Sequence, residues 1–269
     1  MKARQARVLL TGATGGIGQP MAHALVQAGA AVLLTGRSDD TLAALAGRVG
    51  AGRTLSNERL AWHAADLSQP GGTLPLAQVA AGWGCNVVIH GAGRPAFGRL
   101  QDIGGASMHA VLQTNLLAPM LLTQALLPHL LSQPQAQVIC VGSALGRIGL
   151  PGYSVYSASK FGLRGFAESL RRELGETSVR VQYLGPRSTR TAFNSAHVQA
   201  YNDATGTAMD TPQRVAAELI YLLESGRAER FFGFPEKLAV RLNGLAPEWL
   251  DGSFKAHSRN VGAAGAVHP

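Results

Sequence analysis

Short apolar runs that alternate with longer helical patterns constrain this chain more than any other feature. Residues 7–10 form one such run, ending in Thr11; a glycine-rich turn and a helical pattern over 16–28 follow, closed by Gly29. The same alternation continues to the far end. Strand-like runs fall at 31–35, 59–64, 86–90, 137–142, 179–184 and near Phe231, with helical patterns at 40–46, 73–81, 106–132, 153–174 and 211–224. Pro119 and Pro128 are expected to bend the long 106–132 helix. Strand followed by helix, repeated in this way, predicts an α/β fold: a doubly wound parallel sheet of about seven strands with helices on both faces. Right-handed crossovers put the ligand of such a sheet at the carboxyl ends of its strands. A single domain over 1–250 is expected, with 251–269 a weakly patterned tail.

Composition narrows the classes. Hydrophobic residues make up 46% of the chain and charged residues 15%, as in a folded body with a large core. No apolar stretch is expected to reach the roughly 18 residues that span a bilayer, and the run at 8–10 is too short for a secretory segment. Cys85 and Cys140 alone give no disulfide framework and no thiolate metal site, so no metal and a reducing, cytoplasmic setting are expected. The net charge of +8, from 24 basic and 16 acidic residues, suits either nucleic acid or a small multiply charged anion. Arginines at 53, 94, 147, 164, 180 and 227 are scattered, without an aromatic-interleaved basic stripe. That pattern argues against nucleic acid.

Thr11-Gly12-Ala13-Thr14-Gly15-Gly16-Ile17-Gly18 lies between the first strand and the first helix. Glycines there let the backbone turn tightly against a pyrophosphate, while the helix N-terminus presents free N–H groups to it. The residue after the second strand then separates two dinucleotides. A carboxylate would hold a ribose diol; Arg37, with Thr14 and Ser38 nearby and no carboxylate before Asp39, favours the 2′-phosphate of NADP(H) over NAD(H). Asp66-Leu67 is placed to border the adenine, and Gly91-Ala92-Gly93 to lie against the adenosine portion.

Tyr156 and Lys160 stand four apart in a helical pattern, one turn from each other on one face. A lysine ammonium near a phenol is expected to lower the tyrosine pKa from about 10 and ready it for proton exchange with an alcohol or carbonyl oxygen.

With these motifs in order, the chain closely resembles the short-chain dehydrogenase/reductase family, whose Rossmann-type fold the alternation already suggests. The resemblance runs from about Val8 to Phe234 and rests on Thr11-Gly12-x-x-x-Gly16-x-Gly18, Asp66, Gly91-Ala92-Gly93, Asn115, Ser143 and Tyr156-x-x-x-Lys160. It implies that Tyr156 is the general acid in reduction and the base in oxidation. Ser143 would hydrogen-bond the substrate oxygen, and Lys160 would hold the nicotinamide ribose and lower the Tyr156 pKa. Asn115 would bind a water that links Lys160 to solvent. Gly12, Thr14, Gly15, Gly16, Ile17 and Gly18 would cradle the cofactor, as would Pro186, Thr189 and Thr191 after the sixth strand, with Thr191 at the nicotinamide carboxamide. Two places depart from the family pattern: Gly91 replaces an asparagine, which should loosen its loop, and Arg187 replaces a glycine, adding charge near the pyrophosphate or the substrate mouth.

By the same resemblance, 187–210 is the substrate lid, holding Phe193, His197, Tyr201 and Met209. Arg94, Phe97, Leu145, Tyr153 and Phe193 are expected to line the pocket, with His197 exposed, and an apolar ketone or secondary alcohol fits this set better than a sugar. Arg147, Arg187 and Arg190 would suit an acyl group on an acidic carrier. The expected enzyme is an NADP(H)-dependent carbonyl reductase acting on a small molecule. The alternatives are a non-catalytic NADP(H)-binding regulator, and dehydratase or epimerase chemistry on the same fold. The resemblance also implies a homo-oligomer, dimer or tetramer, built through the helices at 106–132 and 153–174. A helix near 235–250, with Leu238, Val240, Leu242, Leu245 and Trp249, would close the pocket or pack on a neighbour.

Overall fold

The computed structural model describes residues 1–52, 56, 58–69, 71–233 and 236–264, without the side chains of 234–239 and 262–264. Phe234 and Pro235 therefore lie outside the described residues. Seven strands carry the fold: β1 (Arg7–Thr11), β2 (Ala31–Gly36), β3 (Leu60–Ala64), β4 (Val87–His90), β5 (Ala136–Val141), β6 (Val179–Gly185) and β7 (Glu229–Phe231). They form one sheet in the order β3-β2-β1-β4-β5-β6-β7, and every pairing is parallel. The order reverses between β1 and β4, which opens a crevice at their carboxyl ends.

Strand residues alternate between the two faces, and the cores follow that parity. Val8, Leu10, Val32, Leu34 and Ile89 pack with Met21 and Leu25 of α1 (Gly18–Gln27), Leu42 and Leu45 of α2 (Asp39–Gly50), and Leu219 and Leu222 of α8 (Pro212–Ser225). Leu9, Leu33, Val88, Val138 and Val181 pack with Leu76 of α3 (Thr73–Gly82), Leu122 and Leu126 of α5 (Ala118–Leu131), and Leu163 and Leu170 of α6 (Ser154–Glu173). Each fully buried leucine contributes about 1.5–3 kcal/mol relative to exposure. That is why both faces are covered.

Four expectations change. The long helix is α4 (Gly105–Leu112), a π-helical turn (Gln113–Leu117) and α5 in succession, so the break precedes Pro119 and carries Asn115. The whole 105–131 helix is also long and apolar enough to cross a membrane, contrary to the expectation that no stretch approached that length. Within the fold its α5 part buries Leu122, Leu126 and Leu130 in the core, as the core helix of a sheet protein does. The lid contains a helix, α7 (Ala196–Ala204), capped by Ser195 through its bond from the Val198 amide. The expected tail carries α10 (Lys255–Ala264), which packs on α7, while 265–269 lie outside the described residues. In α9 (Glu236–Leu245) and the 3-10 segment after it, Val240 is buried and Leu242, Leu245 and Trp249 are exposed, while the side chain of Leu238 lies outside the described residues.

Candidate active site

The turn after β1 is shaped by what cannot fit there. Gly12 adopts φ +67, and a Cβ on it would stand 2.6 Å from the Ala92 Cα. A Cβ on Gly18 would strike the Gly12 carbonyl oxygen, and one on Gly16 would lie 2.6 Å from the Thr191 Cβ. The turn, the Gly91-Ala92-Gly93 loop and Thr191 therefore converge at van der Waals distance. Thr11 ties them together: its Oγ1 accepts from the Gly91 and Ala92 amides at 3.1 and 3.2 Å. Gly91 does not loosen that loop, because a Cβ there would stand 2.7 Å from the Thr11 carbonyl oxygen. α1 begins behind Gly15 and Ile17 with no side-chain cap, leaving its N-terminal amides to an anion.

At the rim, Arg37 is exposed just past β2. The first carboxylate after it in the chain is engaged elsewhere, since Asp39 Oδ1 accepts from Trp62 Nε1 at 3.1 Å. Ser38 caps α2, and Thr14 Oγ1 lies 3.1 Å from where a Gly36 Cβ would be. Asp66 Oδ1 accepts from the Ser68 hydroxyl and amide at 2.7 and 2.9 Å, which holds its pKa below the usual range, and Leu67 beside it is buried. A cradle with glycine at its closest approaches, a helix N-terminus without a side-chain cap and an exposed guanidinium fit a phosphorylated dinucleotide.

Four side chains meet beyond the cradle. A Cβ on Gly93 would stand 3.6 Å from Asn115 Oδ1 and 3.8 Å from Lys160 Nζ. Asn115 is held by the Arg94 backbone, accepting from its amide at 2.7 Å and donating to its carbonyl at 3.0 Å, and it donates to Ser159 Oγ at 3.1 Å. Lys160 Nζ donates to the Val141 carbonyl at 3.1 Å and stands 5.7 Å from the Tyr156 ring centroid. Ser143 follows β5, and its Oγ accepts from the Leu145 amide at 3.1 Å.

Electrostatics correct one expectation. Burial pushes the Tyr156 pKa up to about 12, and its hydrogen bond with Ser143 only partly offsets this; Lys160 does not lower it. Burial also lowers Lys160 to about 8. Desolvation outweighs the charge-pair effect inferred from spacing, so Tyr156 is a neutral phenol at pH 7.

The residues expected to line the substrate pocket include a cluster of rings. Phe97 lies 4.9 Å from both Tyr153 and Tyr201, centroid to centroid, and Tyr156 lies 6.3 Å from Tyr153 and 6.0 Å from Phe193. Tyr201 of α7 meets His257 Nδ1 of α10 at 2.7 Å. His197 is half-buried against Phe97 rather than exposed. Leu145 is half-buried and Arg94 exposed. Pro186 accepts from the Ala144 amide at 2.7 Å, and Thr189 bridges to Asp210.

Two of the arginines expected near the substrate mouth are held in ion pairs. Arg187 forms a two-pronged pair with buried Asp210 at 2.9 and 3.0 Å, so its charge is not offered to the pyrophosphate or the substrate mouth. Arg147 pairs with Glu229 at 2.7 Å, and the same carboxylate holds Arg164 at 3.1 Å. Sequence reasoning missed Tyr183, whose hydroxyl touches the Ser143 backbone, and the reach of His257 into the lid. Nothing local to Tyr183 marks it; it reads as one more β6 core residue. His257 sits in a stretch with no readable period.

Comparison with known proteins agrees with this geometry. A family profile described as short chain dehydrogenase matches residues 6–202. A dehydrogenase/reductase SDR family member 7B from Bos taurus is 30% identical over 91% of this chain and 78% of its own length. The ketoacyl reductase HetN of a Nostoc species is 32% identical over 78% of this chain and 67% of its own. A short-chain dehydrogenase from Burkholderia cenocepacia, solved in complex with NADP, superposes with TM-score 0.72 at 28% identity, covering 83% of this chain and 92% of that one. With its seven-stranded parallel sheet and a profile match over most of its length, the chain belongs to the short-chain dehydrogenase/reductase family of oxidoreductases.

Proposed function

We propose that the protein interconverts an apolar ketone and a secondary alcohol with NADP(H), with Tyr156 as the proton donor in reduction. The observation that carries this reading is the gathering of Asn115 and the buried Lys160 at Gly93, with the Lys160 ammonium 5.7 Å from the Tyr156 ring, beside the glycine-rich cradle. The dinucleotide, when bound, supplies or takes up the hydride equivalent. Tyr156 delivers its proton to the substrate oxygen, and its raised pKa keeps that proton in place across neutral pH. Ser143 Oγ already accepts the Leu145 amide, so its own proton is available to a developing oxyanion. Lys160, 5.7 Å from the Tyr156 ring, would hold the nicotinamide ribose, while Asn115 fixes the Gly93-Arg94 backbone against them. Phe97, Tyr153 and Phe193 exclude water from the reacting oxygen.

Arg37 supports NADP(H) over NAD(H), because Asp39 is turned to Trp62 and leaves a basic group at the ribose end. Arg147 and Arg187, both ion-paired, speak against docking of an acidic carrier through them. Leu112, Leu117, Met120 and Phe161 are exposed on the helices at 105–131 and on α6, and we assign these faces to pairing with a second copy. Tyr156→Phe is expected to lower kcat by about 10²-fold or more, followed by loss of NADPH absorbance on a ketone panel, with NADP affinity retained. Unchanged turnover in that variant would end the reading.

A further inference from the structure

Ser143 is held at four points, and two of them come from one buried residue. The Tyr183 hydroxyl accepts from the Ser143 amide at 3.0 Å and donates to the Ser143 carbonyl at 3.0 Å. The third point is the Leu145 amide on Oγ, and the fourth is the Gly146 amide, which donates to the Ser143 carbonyl at 3.0 Å. Tyr183 reaches this position because Gly142 and Gly146 lack side chains: a Cβ on Gly142 would fall on the Tyr183 ring, and one on Gly146 on its hydroxyl. The ring is 1% exposed and packs 5.7 Å from Phe231, so it has no other place to go.

We propose that Tyr183 is a positioning residue for Ser143, clamping both polar groups of its backbone so that the Ser143 hydroxyl stays aimed at Tyr156 and the substrate oxygen. This rests on the proposed carbonyl chemistry. Without the phenol oxygen, the buried Ser143 amide would lose its partner and the carbonyl would keep only the Gly146 amide. They would seek other partners, and the hydroxyl would turn with them. Burial raises the Tyr183 pKa, so the hydroxyl stays protonated and able to donate throughout the working range.

The test is a double-mutant cycle on Tyr183→Phe and Ser143→Ala, with turnover counted per NADP-binding site so that an unfolded fraction does not imitate the effect. Tyr183→Phe is expected to lower kcat about 10-fold with NADP affinity unchanged, and to add nothing in the Ser143→Ala background. An equal further loss in that background would reduce Tyr183 to a packing residue and overturn the proposal. A second readout does not need turnover. The chain has five tyrosines, so ring-labelled tyrosine NMR can follow Tyr156 alone. Its pKa should rise in both variants, because both lose the Ser143 bond that lowers it. No rise in Tyr183→Phe, when Ser143→Ala shows one, would also overturn the proposal. If Tyr183→Phe folds poorly, para-fluorophenylalanine at position 183 keeps the ring and removes the donor. Failure of the underlying reaction would look different: Tyr156→Phe would be silent while the NMR shift persisted.

Discussion

Gly12, Gly18 and Gly91 on one side of the cleft, and Phe97, Tyr153 and Tyr201 on the other, solve opposite problems. On the dinucleotide side the backbone of three segments comes so close that a single Cβ would collide with a carbonyl or a neighbouring Cα. On the substrate side there is no such limit; the wall consists of rings 4.9 to 6.3 Å apart, pinned at the back by His257. The first side is defined by absence of side chains, and the second by their bulk. Substitution should therefore be unforgiving on one side and graded on the other.

The largest effect is expected at Gly18→Ala, whose Cβ would strike the Gly12 carbonyl. NADP affinity should fall about 10³-fold, roughly 4 kcal/mol, in a calorimetric titration. A variant that bound normally would remove the steric account of the cradle. Lys160→Met comes next. Because burial lowers the folded-state pKa of Lys160 to about 8 from 10.5, the unfolded chain binds more protons between those values, and the penalty is complete below pH 8. The variant should be more stable than the parent by on the order of 3 kcal/mol at pH 7. That gap should shrink as pH rises from about 8 toward 10.5, and urea titrations of the cofactor-free proteins would measure it. A gap constant with pH would mean the ammonium is not the source.

Asp210→Asn tests the base of the lid. Asp210 is 2% exposed on its side chain and Arg187 13%, so removing the charge leaves a guanidinium with too little compensation. A loss of about 2 kcal/mol is expected, less than for a fully sealed pair because Arg187 keeps some contact with water. Smallest of all, Arg37→Glu should reduce the preference for NADP over NAD by about 10-fold, read as the ratio of kcat/KM values. An unchanged ratio would place selectivity elsewhere on the rim.

The same contrast explains how far the residues could be read in advance. The sheet, its order of elements and the glycine turn were legible, because a buried parallel strand and a Cβ-free approach restrict residue type strongly. The gathering of Tyr156, Lys160, Ser143 and Asn115 followed from ordered motifs. What spacing could not convey was solvation: Tyr156 and Lys160 four apart suggest a lowered phenol pKa, but the depth of α6 in the fold raises it. Nor could it convey partners far along the chain. Arg187 looked like a charge at the mouth until Asp210 came within 2.9 Å of it. α7 carries only a weak apolar period, and its contact with α10 is tertiary in origin.

Tyr183 and the two glycines beside Ser143 also limit the order in which this protein can change. A larger residue at 142 or 146 is blocked while the tyrosine is present, and a smaller residue at 183 leaves a cavity against Phe231 and strands the serine backbone. Any route to a different arrangement must shrink position 183 first and pass through a weakened intermediate. The three positions thus form one heritable unit, and a graft that moves the Ser143 turn into another scaffold must carry all of them.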